Sequence, residues 1–156
     1  AGLGVGSIDS GGASYSNNII WLGVPGTTIL KIYMNKYTPG SGTQSIKLNQ
    51  PITIGISMDY GDLEYDEKSG NLILSDSAGA GNNIIMVDPN TGIVLDNNNT
   101  TPSVAVQLAF SPDNILFGAN GTTVVTVNTV SGALTTFPGA VALVGTPADM
   151  GRAICE

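Results

Sequence analysis

The chain has no histidine, a single cysteine and only five lysines and arginines among its 156 residues. Without histidine the commonest general base is missing, and with it the usual Ser-His-Asp and Cys-His arrangements and most transition-metal sites, zinc above all. One cysteine, Cys155, cannot close an internal disulfide, so it is a free thiol or half of an intermolecular bridge. The five cations, Lys31, Lys36, Lys47, Lys68 and Arg152, are scattered along a chain of net charge −7. That pattern excludes nucleic acid and anionic membrane as natural partners. No apolar run approaches the roughly 20 residues of a membrane span. The N-terminus lacks the basic and apolar regions of a signal peptide. A start at Ala1-Gly2-Leu3 and a stop at Ile154-Cys155-Glu156 fit a processed protein or a piece of a longer one. Helical periodicity is also missing, because Gly, Pro or Asn interrupts nearly every window before about 12 residues have passed. Gly2-Leu3-Gly4-Val5-Gly6 is glycine-rich, but no helix follows on which a phosphate could dock.

What remains is a chain that is 42% hydrophobic and only 11% charged. Its surface must therefore be covered by neutral Asn, Ser, Thr and Gly, a composition suited to a secreted, extracellular or cell-surface protein. The 21 glycines follow no triplet rule and lie between short runs rich in Ile and Val. Short strands joined by tight turns follow, in a single all-β domain large enough to bury a core.

Those strands repeat. Residues 62–96 match residues 107–136 through four successive features. Leu63-Glu64-Tyr65-Asp66 corresponds to Leu108-Ala109-Phe110-Ser111, and the polar turn Lys68-Ser69-Gly70-Asn71 to Pro112-Asp113-Asn114. Next, Leu72-Ile73-Leu74-Ser75 pairs with Ile115-Leu116-Phe117-Gly118, and Ile84-Ile85-Met86-Val87-Asp88 with Val124-Val125-Thr126-Val127-Asn128. Finally Pro89-Asn90-Thr91-Gly92 matches Thr129-Val130-Ser131-Gly132, each followed by a short strand. In the first of these turns Pro presets φ, Asn and Gly accept left-handed conformations and the Asp side chain can cap the bend. The offset of about 40 to 45 residues is that of a four-stranded blade. A weaker upstream copy would use residues 6–9, 19–22, 28–33 and 45–48. The units so defined are residues 6–50, 54–101 and 104–144.

These residues resemble the blades of NHL, YVTN-type and WD-repeat propellers, in which an apolar strand, an SPDN or KSGN turn, a second strand and a DPNTG turn recur. No Trp-Asp pair is present, and the lone tryptophan, Trp21, lies elsewhere. The resemblance implies four-stranded antiparallel blades of β-propeller-like fold; a β-sandwich of pilin or capsid type is the alternative. It implies a scaffold rather than a reaction, since such families commonly serve as protein- or carbohydrate-binding platforms. A closed propeller typically takes at least about four blades, and this chain supplies three. Residues 146–156 resemble the opening of a further blade, with Ala148-Asp149-Met150 in place of Gln107-Leu108-Ala109. Three blades leave apolar faces and strand edges open, which points to a homo-oligomeric ring, a fibre or a place in a larger propeller. Residues 1–14 and 146–156 are then candidate exchanged strands.

Candidate chemistry is sparse, and no catalytic or cofactor-binding residue stands out. The densest charge cluster is Asp59, Asp62, Glu64, Asp66 and Glu67. On a strand Asp62, Glu64 and Asp66 share a face and could hold calcium through hard oxygen ligands; they also read as a solvated acidic edge. Asp9-Ser10-Gly11-Gly12 reads as a turn. Asn98, Asn99 and Asn120 head N-glycosylation patterns in expected loops. Tyr15, Tyr33, Tyr37, Tyr60 and Trp21 serve a sugar-stacking surface or inter-blade packing. The expectation is a non-enzymatic structural or adhesive protein whose partner is itself. A binding module for protein or carbohydrate is the alternative, and a fragment of a carboxylate and calcium propeller enzyme a third class.

Overall fold

A computed structural model of the chain describes residues 13–16, 19–24, 26–33, 40, 49–58, 61–76, 82–102, 104 and 106–139. Those residues are all-β, without a helix, and form three four-stranded antiparallel sheets. The first sheet holds β1 (Ala13–Ser16), β2 (Ile19–Val24), β3 (Gly26–Tyr33) and β4 (Asn49–Met58) in that order. The second holds β5 (Gly61–Tyr65), β6 (Leu72–Asp76), β7 (Asn83–Val87) and β8 (Val94–Asn99). The third holds β9 (Gln107–Phe110), β10 (Leu116–Asn120), β11 (Thr123–Val127) and β12 (Leu134–Thr136). Each sheet is a meander in which every strand pairs with its sequence neighbours.

The sheets stack face to face in chain order, because strand alternation gives the second sheet two apolar faces. Leu63 on β5, Leu72 and Leu74 on β6, and Ile85 and Val87 on β7 pack with Trp21, Ile29, Ile52 and Ile54 of the first sheet. The intervening Ile73 and Ile84 pack the other way, with Leu108, Phe110, Leu116, Val125 and Val127 of the third. All five residues of β6 are consequently buried, as its nearly unbroken apolar run requires. The first strands β1, β5 and β9 adjoin one another along the stack, and β4 adjoins β8. The described residues thus form three layers, where the sandwich alternative has two.

Strand positions differ from the sequence reading in the first sheet and in one register. The outer strand of the first sheet is β4, Asn49–Met58, so it lies beyond residues 45–48 and spans the expected break between residues 50 and 54. Pro51-Ile52-Thr53-Ile54 alternates exposed and buried, which is the signature of a half-buried strand. The first strand is β1; residues 6–9, 45–48, 140–144 and 146–156 lie outside the described residues. In the third sheet Phe110 pairs with Leu116, as Tyr65 pairs with Leu72. Leu72 therefore corresponds to Leu116 and not to Ile115. The cause is turn length: Asp66 N–H bonds Asn71 O, whereas Ser111 N–H bonds Ile115 O one residue sooner. A one-residue slip exchanges faces, and Leu116 is accordingly buried while Ile115 is exposed.

One turn is used three times. In Asp66–Asn71, Asp88–Ile93 and Asn128–Ala133 the first residue's carbonyl accepts from the glycine N–H, at 2.8, 2.9 and 2.9 Å. Its side chain accepts from the N–H two residues on, from Lys68, Asn90 and Val130. The hydroxyl of Ser69, Thr91 or Ser131 then accepts from the residue after the glycine. The left-handed residue is the glycine in every copy, with φ of 76°, 76° and 68°, and not Asn90. Gly92 and Gly132 carry a second constraint, since a Cβ would strike the carbonyl of Thr53 or Asn99 on the preceding sheet's outer strand. Gly139 has a similar φ of 77° and open surroundings. In urea unfolding Gly139→Ala is expected to cost only left-handed strain, about 1–2 kcal/mol. Gly92→Ala and Gly132→Ala add a crowding cost of about 1–3 kcal/mol; equal losses at all three would show that the outer turns do not bear on the neighbouring sheet.

Candidate functional site

The acidic stretch around β5 is where the structure concentrates polar chemistry, and it lies between the second and third sheets. Asp62 and Glu64 face the third sheet, opposite Leu63 and Tyr65, as alternation demands. β5 ends at Tyr65, so Asp66 heads the turn and does not continue the strand face. Asp62 is 4% exposed. Its carboxylate accepts the Leu63 N–H at 2.8 Å and the Leu108 N–H of β9 at 2.6 Å. Its own N–H donates to Ser75 Oγ at 3.0 Å, and that hydroxyl donates to Val106 O at 2.6 Å. Two neighbouring strands of the second sheet thereby grip the chain as it enters β9. A carboxyl is tolerated at this buried place because fixed N–H donors replace water.

Asp66, at the other end of β5, is bonded within its own turn. Its carboxylate accepts from Lys68 N–H at 2.9 Å and from Ser69 Oγ at 2.6 Å. Asn114, in the turn between β9 and β10, adopts a left-handed conformation, φ 61°. Partial burial pulls the Asp66 carboxyl upward, but the Ser69 hydroxyl, the Lys68 N–H, the Asn114 side chain and the Ser69 N–H together outweigh it. Asp66 therefore ionises below its ordinary range. In Asp88 the Asn90 N–H leads and the Thr91 hydroxyl follows, with the same downward result. What the arrangement does chemically is join sheets: the start of β5 is bonded to the third sheet through the Asp62 carboxyl.

The remaining candidates are dispersed. Among the described residues no group of three or more His, Cys, Asp or Glu is placed to hold a metal ion, and Asp62, Glu64 and Asp66 do not converge. Asn98 and Asn99 sit on the outer strand β8. Asn99 is exposed, whereas the Asn98 Nδ2 is buried without a partner and Thr100 is buried with its hydroxyl bonded to Val104. Asn120 ends β10. Cys155, Asp59, Tyr37, Tyr60 and Asp9-Ser10-Gly11-Gly12 lie outside the described residues. Trp21 is 3% exposed and stacks on Tyr65, centroids 5.8 Å apart and planes 7° from parallel. Lys31 Nζ lies 4.6 Å from the Trp21 ring and 5.4 Å from that of Tyr33. These aromatics pack the first interface and hold a cation against their faces.

The tie from Ser75 to Val106 and the reuse of one turn in two different hairpins were missed in the sequence. The turn has a signal, Asp or Asn followed three residues later by Ser or Thr and then Gly. Among the described residues no helix is long and apolar enough to cross a membrane. No protein-family model matches the chain, and no curated protein is significantly similar to it.

Two outcomes follow from the carboxylates. Asp62→Ala strands the Leu108 N–H in a buried site and is expected to cost about 1–3 kcal/mol, with a similar loss for Ser75→Ala. Because both grip one segment, the double variant should lose less than the sum; additive losses in urea unfolding would show independent sites. Asp66 and Asp88 ionise more readily folded than unfolded. Their contribution is complete above the unfolded value of about 3.9 and is lost as pH falls through the lower folded values. Asn128 shows that an amide supports the same turn. Asp66→Asn/Asp88→Asn is thus expected to unfold with a flatter pH dependence below about pH 4 than the parent; unchanged slopes would exclude the assignment.

Proposed function

We propose that this is a non-enzymatic structural or adhesive protein of the cell exterior, built from propeller-type blades, whose partner is a second copy of itself. The observation that carries this reading is the character of the outward faces of the end sheets. In the first sheet Ile20, Leu22, Leu30 and Ile32 lie on the side away from the second sheet, opposite Trp21 and Ile29. In the third, Ala109, Phe117, Ala119 and Val124 lie on the side away from Leu108, Leu116 and Val125. Phe137 adds to that side, edge to face with Phe117 at 5.2 Å and 41% exposed. Faces of this composition are what sealed the two internal interfaces; within the chain Ile32, Ala109 and Ala119 are buried, the other face residues are half-buried and Phe137 is exposed, and burying what remains of such area would drive association. A surface dominated by neutral polar groups and a charge of −7 suit the exterior. Sedimentation across a wide concentration range is expected to show mass-action growth beyond the 15.9 kDa chain, with rings or fibres in micrographs. A monomer at every concentration would refute the proposal.

A further inference from the structure

Residues 98–101 carry two overlapping glycosylation patterns, Asn98 with Thr100 and Asn99 with Thr101. Successive residues of a strand point to opposite faces, so the two acceptor amides, both on β8, meet different surroundings. Asn98 pairs with Ile84 and shares its side, toward the third sheet. There the outer turn of the third sheet lies over it: a Cβ on Gly132 would come within 3.3 Å of the Asn98 Cβ. The Asn98 Nδ2, the atom to which a sugar would be joined, is buried. The hydroxyl of its pattern is buried as well, since Thr100 is 3% exposed and its Oγ1 accepts the Val104 N–H at 3.0 Å. Asn99 pairs with Asn83, takes the other side and is exposed, the last of the exposed row Leu95, Asn97 and Asn99 along the rim. Thr101, which completes its pattern, is exposed too, while its backbone bonds Gly132 and Leu134.

We propose that Asn99 is an acceptor for N-linked glycosylation and that Asn98, one residue away, is not. The site rests on the exterior location proposed above, because its co-reactant is an oligosaccharide carried on a polyprenyl pyrophosphate of a secretory compartment. The Asn99 Nδ2 forms a bond to C1 of the first sugar as the C1–O bond breaks; the amide gives up one proton and the lipid pyrophosphate leaves. Transfer takes place on the extended chain, and the fold decides which product can pack. A sugar on Asn98 would have to displace the Gly132 turn, whereas one on Asn99 leaves that turn in place. The Asn99 sugar would also cover β8, the last strand of its sheet, where unpaired backbone groups recruit other strands.

The test is a peptide map of the full chain secreted from cells that carry out N-glycosylation, behind a leader that is removed on export. Peptide N-glycosidase in heavy-oxygen water turns a sugar-bearing Asn into a mass-labelled Asp, and fragmentation tells Asn98 from Asn99. The label is expected on Asn99 and not on Asn98. Thr101→Ala destroys the Asn99 pattern, leaves that of Asn98 intact and alters a side chain at an exposed position. Its secreted form, with circular dichroism and urea midpoint like the parent's, is expected to carry no sugar on either residue. A bare Asn99 in the secreted parent, or a sugar on Asn98 in the folded parent or variant, overturns the assignment. Routing the chain through the secretory compartment supplies the co-reactant, so either result counts against the site itself, whereas a mass that fails to grow with concentration counts against self-association.

Discussion

A sheet with apolar side chains on both faces cannot face water on either, and the second sheet of this protein is such a sheet. β6 places Leu72 and Leu74 on one side and Ile73 on the other, and β7 places Ile85 and Val87 against Ile84. Neither face can be covered from within the same sheet, so the middle layer requires both neighbours. The three layers are therefore energetically coupled, each contributing part of its stability through the interface it shares, as in repeat arrays. The outer strand β8, Val-Leu-Asp-Asn-Asn-Asn, escapes this demand because it lies at the rim, and its exposure alternates accordingly.

Apolar faces attract without fixing position, since the hydrophobic effect has no direction. Position comes from polar contacts at the start of β5, where Asp62 holds the Leu108 N–H and Ser75 holds Val106 O. Together they fix where the chain enters β9 against the second sheet. The outer turns act differently, by close approach: Gly92 and Gly132 let the backbone of one sheet lie against a carbonyl of the preceding one. Bonds near the first strand and glycine contacts near the last secure the layers at opposite margins.

Much of this was legible in the residues. The two-copy match was enough to give the strands of the second and third sheets, because apolar runs and Gly/Asn turns recur at the same spacing. The one-residue slip at Ile115 arose because a turn with Asn114 left-handed is shorter than one with Gly70, and composition alone does not count turn residues. β4 was readable from the alternation of Ile52, Ile54 and Ile56 with Thr53, Gly55 and Ser57, but it shares no run of residues with the outer strands of the other two copies. The acidic residues misled more deeply. Strand alternation correctly brought Asp62 and Glu64 to one side, yet what a carboxylate does there depends on a strand 46 residues away, whose N–H a linear reading does not supply.

The edges bear on the self-association proposed above. An open strand edge competes with an open face, because unpaired N–H and C=O groups can recruit another strand. On the outer edge of the third sheet that route is narrowed. Thr101, leaving the second sheet, donates its N–H to Gly132 O at 3.0 Å and accepts the Leu134 N–H at 2.9 Å, forming a parallel bridge at Ala133. β12 itself is only three residues long. The chain thus occupies part of its own last edge. In the self-association proposed above, an edge that the chain itself partly occupies disfavours strand addition as the mode of contact.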